Sequence, residues 1–281
     1  MLETVALDSK SEEVVTVRAT AGRSIAVWGT PGSGKTSLAL NLGMELALLG
    51  HSVLLADLDT KAPSLSAFLA NPAKQSTLTT ALRMANQDRL DSNKLIEITE
   101  PLEVDGTNFR FLPGLRNPNR WIEVSEQRLS KILEATSLTF DFTIFDLASD
   151  LEGGLVRADA DSARNIATEF LARHCTTTFM LFQADPIGVN RLIWSLQDFA
   201  GNPLVIANAY RSSVLGKNFR QQISDVLDRF GQVKVDFWIP WDQQAFDSGM
   251  LRGQPLWLAS RTSKAREAIV KLARHLVESD D

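Results

Sequence analysis

The chain has 281 residues, of which 44% are hydrophobic and 22% charged, the mix of a globular fold with a full core. A net charge of −5 disfavours wholesale polyanion binding. The single cysteine, Cys175, excludes an intrachain disulfide framework and a cysteine-based zinc site, which fits a reducing, intracellular setting.

No apolar run approaches the ~18 residues needed to span a bilayer, so stable membrane insertion is not expected. The opening stretch, MLETVALDSKSEEVV, is acidic where a secretory leader is basic. Residues 1–23 read as a polar lead-in whose β-like run is Val14–Val17, and residues 24–281 read as one domain with no Gly/Ser or Pro linker. Strands are predicted at Ser24–Trp28, Val53–Ala56, Phe109–Leu112, Phe142–Phe145, Thr177–Phe182, Leu204–Ala207 and Val235–Ile239. Helices are predicted at Thr36–Leu49, Ser125–Leu133, Ser162–Ala172, Gly188–Phe199, Asn218–Phe230 and Ser263–Val277, and residues 60–108 read as short inserted helices punctuated by Pro63 and Pro72. Near-continuous apolar strands alternating with amphipathic helices imply an α/β fold: a mostly parallel sheet of about seven or eight strands with helices on both faces.

The strongest local signal is Gly29-Thr30-Pro31-Gly32-Ser33-Gly34-Lys35-Thr36, followed by Ser37. It fits G-x-x-x-x-G-K-[ST], with an apolar strand before it and a helix-period run after it. Gly32 and Gly34 let backbone N–H groups close around phosphate oxygens. The helix that follows directs its positive end at the same anion. Lys35 is placed to reach the β- and γ-phosphates of ATP, and the Thr36 hydroxyl to ligate Mg²⁺.

Such a loop works with an acid at the end of another strand. Phe142-Thr143-Ile144-Phe145-Asp146 supplies Asp146 for the metal shell, or as a capping residue for the next turn. Val53–Asp59 supplies a second pair. In a strand Asp57 and Asp59 face the same side. They serve either as metal support and water-orienting base, Asp57 for Mg²⁺ and Asp59 for the attacking water or the two exchanged, or as loop acids that cap the helix near Pro63.

Together these motifs resemble the ParA/MinD family of P-loop ATPases over about residues 24–277. Gly50–Asp59 is similar to the family's G-x-x-V-L-L-x-D-x-D, and Phe140–Asp146 to its Walker B segment. Leu204–Asn208 resembles its late strand ending in Asn, so the resemblance makes Asn208 the reader of the adenine base. Ile239-Pro240-Trp241-Asp242 and Gly253-Gln254-Pro255-Leu256 look like the segments that hold adenine. Trp28-Gly29, Phe111–Leu115 with Trp121, and Ala184–Gly188 with Arg191-Leu192 are similar to a CpaE/TadZ-like subgroup, whose actinobacterial members are described as chromosome-partitioning or septum-site ATPases.

The resemblance implies a nucleotide-dependent homodimer, an unidentified protein partner, and a cytoplasmic protein recruited to a pole, septum or membrane. One departure stands out. Thr30 occupies the position of the family's second, signature lysine, and Pro31 follows it. Losing a charged donor to the phosphoryl oxygens lowers rates on the order of 10²–10³. A slow or partner-stimulated ATPase is therefore expected, with Arg116, Arg120 and Arg157 either as candidate substitutes or as solvated loop charges. A scaffold that binds nucleotide with negligible hydrolysis is the alternative. A small-molecule kinase is a lesser one, because no Arg-rich lid is evident.

His51, His174 and His275 share no metal-ligand spacing with one another or with Cys175. The final helix carries Arg261, Lys264, Arg266, Lys271 and Arg274 beside an apolar stripe of Ile269, Leu272, Ala273 and Leu276. The stripe reads as a core face. The basic set is the one place where DNA binding is worth considering, although the overall charge disfavours it.

Overall fold

The computed structural model describes residues 21–69, 77–102, 104, 106–149, 164–197, 199 and 201–279. Eight strands form one sheet: β1 (Arg23–Gly29), β2 (Ser52–Leu58), β3 (Glu100–Pro101), β4 (Asn108–Leu112), β5 (Phe142–Leu147), β6 (Thr177–Gln183), β7 (Leu204–Tyr210) and β8 (Phe237–Pro240). Their spatial order is β3-β4-β2-β5-β1-β6-β7-β8, and every pairing is parallel except the antiparallel edge pair β3–β4. The chain leaves β1 toward β2 on one side and later crosses to β6 on the other. The crevice beyond the strand ends at this reversal is where open α/β sheets bind ligands.

The helices are α1 (Lys35–Leu48), α2 (Leu65–Phe68), α3 (Thr77–Asn86), α4 (Ser92–Ile98), α5 (Glu126–Thr139), α6 (Ile166–His174), α7 (Pro186–Gln197), α8 (Ser212–Leu215), α9 (Phe219–Phe230), α10 (Gln243–Arg252), α11 (Leu256–Ala259) and α12 (Lys264–Glu278). Strand alternation divides the core into two layers. Ile25, Val27, Val53, Leu55 and Ile144 face α1 and α12. Ala26, Trp28, Leu54, Phe145 and Met180 face α3, α5, α6, α7 and α9. Because both faces are covered, the central strands read as unbroken apolar runs.

The predicted strands and long helices are present, with shifted ends. β3 was not anticipated, since two residues with a proline carry no periodicity. α5 runs six residues past the predicted Leu133, because its second half buries small residues, Ala135 and Thr136, which give little apolar signal. α10 likewise buries Ala245 and Gly249 while exposing Met250 and Leu251, which hides its inner face from a hydrophobic pattern. The Val14–Val17 run, Arg157 and the predicted helix start at Ser162 lie outside the described residues.

The stripe of α12 is a core face: Ile269, Leu272, Ala273 and Leu276 are all buried against α1 and the sheet. Between α1 and α12 sits a buried ion pair. Arg266 Nε donates to Glu45 Oε1 at 2.6 Å and Nη2 donates to Oε2 at 3.0 Å, while the guanidinium lies 4.7 Å from the centre of the Trp257 ring. Burial pushes the Glu45 carboxyl up, and Arg266 pulls it back down. Such a pair is a poor source of net stability but is damaging to break from one side. Arg266→Ala is expected to lose about 3 kcal/mol in urea unfolding. A double Glu45→Met/Arg266→Met replacement should recover most of that loss. A single-variant loss below about 1 kcal/mol would mean that the pair does not brace the α1–α12 contact.

Candidate functional site

The loop after β1 turns tightly enough to present its backbone N–H groups inward. Gly32 and Gly34 have φ of +76° and +87°, the left-handed region where a side chain is strained. At Gly34 a Cβ would also come within 2.5 Å of the Asn208 Nδ2. That nitrogen donates to the Ser33 carbonyl at 2.7 Å, so the end of β7 braces the loop. The Ser33 N–H donates to the Thr30 carbonyl at 3.0 Å, and the Thr30 N–H to Leu181 on β6 at 3.0 Å. The start of α1 points at the space the loop encloses.

Charged and hydroxyl side chains from several elements meet below this loop. Lys35 is buried and donates to the Ser149 Oγ. The Thr36 Oγ1 donates to Asp146 Oδ2 at 2.6 Å and lies 3.4 Å from the Ser64 Oγ. Asp57 and Asp146 are paired directly across β2 and β5, at the ends of two buried strands. Asp57 accepts the Ser64 N–H at 3.0 Å and the Leu65 N–H at 3.1 Å, both through Oδ2, and the Asp59 N–H at 3.2 Å through Oδ1. Gly114 permits this approach, because a Cβ there would lie 2.9 Å from Asp57 Cγ.

Burial, and then the charge of Asp146, push the Asp57 carboxyl up to about 8. Burial raises Asp146 to about 7, against the lowering effects of the Thr36 hydrogen bond and the Lys35 charge. Two acids side by side in a dry setting resist ionising together. A cation among them would relieve this.

Asp59 lies just past the end of β2 and is half-buried. Its Oδ1 accepts the Lys61 and Ala62 N–H groups at 3.0 and 2.8 Å, so it caps its own turn while adding charge near Asp57 and Asp146. Among the described residues no three His, Cys, Asp or Glu side chains converge to hold a metal alone. The donor set instead suits an ion that keeps several waters and shares phosphate oxygens, the habit of Mg²⁺. Buried Thr30 Oγ1, Ser33 Oγ and Asp146 Oδ1 have no protein partner, and all three belong to the loop or the acid below it. They fit a polar, phosphate-bearing ligand with its metal ion.

Beside the loop, a cavity of about 170 Å³ is bordered by Gly34, Ser37, Leu38, Asn208, Trp241 and Phe246. A space of about 150 Å³ accepts one benzene ring, so this one suits a single flat heterocycle. Trp241 is stacked on Phe246, with ring centres 5.9 Å apart. Pro240 and Asp242 lie next to Trp241 but do not border this space. Pro240 ends β8, and Asp242 caps α10 by accepting the Ala245 N–H at 3.2 Å.

The structure therefore brings together residues 29–37, Asp57, Asp146, Asn208 and Trp241, with Asp59 at the margin. Ser64, Gly114 and Ser149 were missed by sequence reasoning. Each lies on a loop a few residues past a strand or acid already singled out, and that offset was their one available signal. Of the arginines weighed as substitutes for a signature lysine, Arg120 is tied to Glu123 at 2.6 Å. Arg191, not among them, donates through Nη1 to the Pro31 carbonyl at 3.4 Å.

The model of the CobQ/CobB/MinD/ParA nucleotide binding domain matches residues 25–255. The septum site-determining protein MinD of Synechocystis is 26% identical over 254 residues, covering 90% of this chain and 88% of that protein. Among solved structures, a ParA family ATPase from Chlorobium tepidum superposes with a TM-score of 0.73 at 17% identity, covering 91% of this chain and all of the other. MinD complexed with Mg-ADP from Pyrococcus horikoshii gives 0.66 at 21% identity, over 91% and 96% of the two chains. With the match running through the loop, both acid-bearing strands and the Asn208 strand, the chain belongs to the CobQ/CobB/MinD/ParA nucleotide-binding domain family.

Proposed function

We propose that the chain binds Mg-ATP and acts as a slow ATPase whose nucleotide state switches a homodimer used for cellular positioning, of the kind named in its septum-site relatives. The observation that carries this reading is the 2.6 Å Thr36–Asp146 bond beneath the glycine loop, with Asp57 alongside it. Backbone N–H groups of residues 32–36 would hold the phosphates, with Lys35 adding a buried positive charge. Thr36 and Asp146 would hold Mg²⁺, with Asp57 behind them, and the bound ion supplies positive charge to the phosphate oxygens.

We infer that Asp59 orients the attacking water, or trades that role with Asp57. Because Asp57 also accepts the Ser64 and Leu65 N–H groups, the loop from Asp59 to Leu65 is mechanically linked to the metal shell. That link gives a route from nucleotide state to surface shape. Asn208 and Trp241 would flank the base. Exposed Ile187 and Trp194 share a face of α7 with Arg191, next to the loop, which supports a second copy as the partner on this side. Affiliation with the CpaE/TadZ-like subgroup rests on the motifs at Trp28-Gly29, Phe111–Leu115 and Ala184–Gly188. We expect a cytoplasmic protein placed at a pole, septum or membrane by a separate protein partner. No helix among the described residues is long and apolar enough to cross a membrane. DNA is a weaker candidate partner, because Arg266 is committed to Glu45 and Arg261 is stacked on Trp257.

A second reading, a nucleotide-binding scaffold with negligible turnover, is favoured by one observation: Thr30 is buried and neutral where the family resemblance places a lysine.

ATP turnover, affinity and oligomeric state with and without Mg-ATP test both readings. Lys35→Ala should weaken Mg-ATP binding by about 10- to 100-fold, the value of a charge-assisted contact. Wild-type turnover above that variant, with a shift to dimer in Mg-ATP, is the expected result. Tight binding with turnover equal to Lys35→Ala selects the scaffold. A monomer under all nucleotide conditions removes the dimer switch.

The buried acids also set a pH dependence. Their folded-state pKa values are raised above 3.8, so their contribution to stability is full below that value and is lost as pH rises through about 7 to 8. Without metal, the melting temperature of wild type should fall between pH 5 and 8.5 relative to Asp57→Asn, by about 2–4 °C per kcal/mol lost. Parallel melting curves would contradict the raised values.

A further inference from the structure

The loop lacks an exposed cation of its own at its outer rim. Thr30 is 2% exposed, short and neutral, and Pro31 follows on the surface. The charge within reach of that rim comes from elsewhere in the chain. Arg191 lies on the exposed face of α7, and its Nη1 donates to the Pro31 carbonyl at 3.4 Å. A guanidinium has five N–H donors, of which this long contact engages one. Among the described residues no carboxylate is paired with it.

Direction along the loop matters. The cavity suited to a flat base borders Gly34, Ser37 and Leu38, at the helix end of the loop. Arg191 meets the other end, at Pro31. A nucleotide with its base in that cavity would run its phosphate chain over Lys35 and toward Pro31, so the last phosphate, rather than the first, would come near Arg191. Guanidinium is suited to such a place, being permanently charged and shaped to bind phosphate oxygens in pairs. A cation held on the nucleotide's own chain also serves as an arginine finger in cis.

We propose that Arg191 contacts the terminal phosphate of bound ATP from within the same chain and supplies there the positive charge that Thr30 lacks. This inference rests on the nucleotide-site reading above, and it makes Arg191 a discriminator of ATP from ADP as well as a rate-enhancing group.

Equilibrium binding of ADP and of a non-hydrolysable ATP analogue, each with Mg²⁺, to the full chain separates the two ideas. Arg191→Ala should weaken the ATP analogue by about tenfold while leaving ADP within about twofold, with Arg191→Lys intermediate for the analogue. Single-turnover hydrolysis should slow in the same order. Equal loss for both nucleotides, or no loss for either, would overturn the role of Arg191 while leaving the nucleotide site standing. If wild type binds neither nucleotide, the site reading itself fails, and this inference with it.

Discussion

Two carboxyl groups, Asp57 and Asp146, are buried side by side at the ends of β2 and β5, and the rest of the site is arranged around making that tolerable. An isolated buried carboxylate is expensive, and two adjacent ones more so. Three of the four carboxyl oxygens are satisfied, from two parts of the chain, and Asp146 Oδ1 has no protein partner. Thr36 reaches Asp146 from the start of α1. Backbone N–H groups of Asp59, Ser64 and Leu65 converge on Asp57. Lys35 lends its charge to Asp146 from above. The parallel register fixes this arrangement, because Leu54↔Thr143 and Leu55↔Ile144 pairing leaves no freedom in where the two acids end up. A one-residue slip would turn one of them to the opposite face.

The same constraint explains why neighbouring loops look as they do. Gly114 is a glycine because its backbone passes Asp57 too closely for a side chain. The turn from Asp59 to Ala62 is held by Asp59 itself, so the acid nearest the mouth is already committed to shaping the loop that carries it. Asn208 combines two duties. Its amide nitrogen holds the Ser33 carbonyl, and its side chain also borders the cavity for a flat ring. A group that filled this cavity would therefore touch the residue that braces the glycine loop.

The main features of the sheet were legible because its signals are local. A doubly covered parallel strand must be apolar almost throughout, so β1, β5 and β6 announce themselves. The glycine loop is equally local: its geometry depends on consecutive residues whose small size is visible in the sequence. Elements built from small or polar residues were less visible. The inner face of α10 is Ala245 and Gly249, and β3 is two residues long, so neither produces a periodic pattern.

By itself the sequence determined the fold class, the glycine loop and the acids at strand ends, because each follows from residue type at short spacing. The tertiary structure decided which distant groups share the site. The Asn208–Ser33 and Arg191–Pro31 contacts join residues 175 and 160 positions apart. No spacing rule covers such separations, since strand order, rather than distance along the chain, sets who meets at the crevice. Burial decided the rest. Arg266 reads as one more cation on a basic helix until packing places it against Glu45. Asp57 and Asp146 read as metal-shell acids or caps at strand ends, and it is the sheet that removes their water and moves their protonation toward neutral pH.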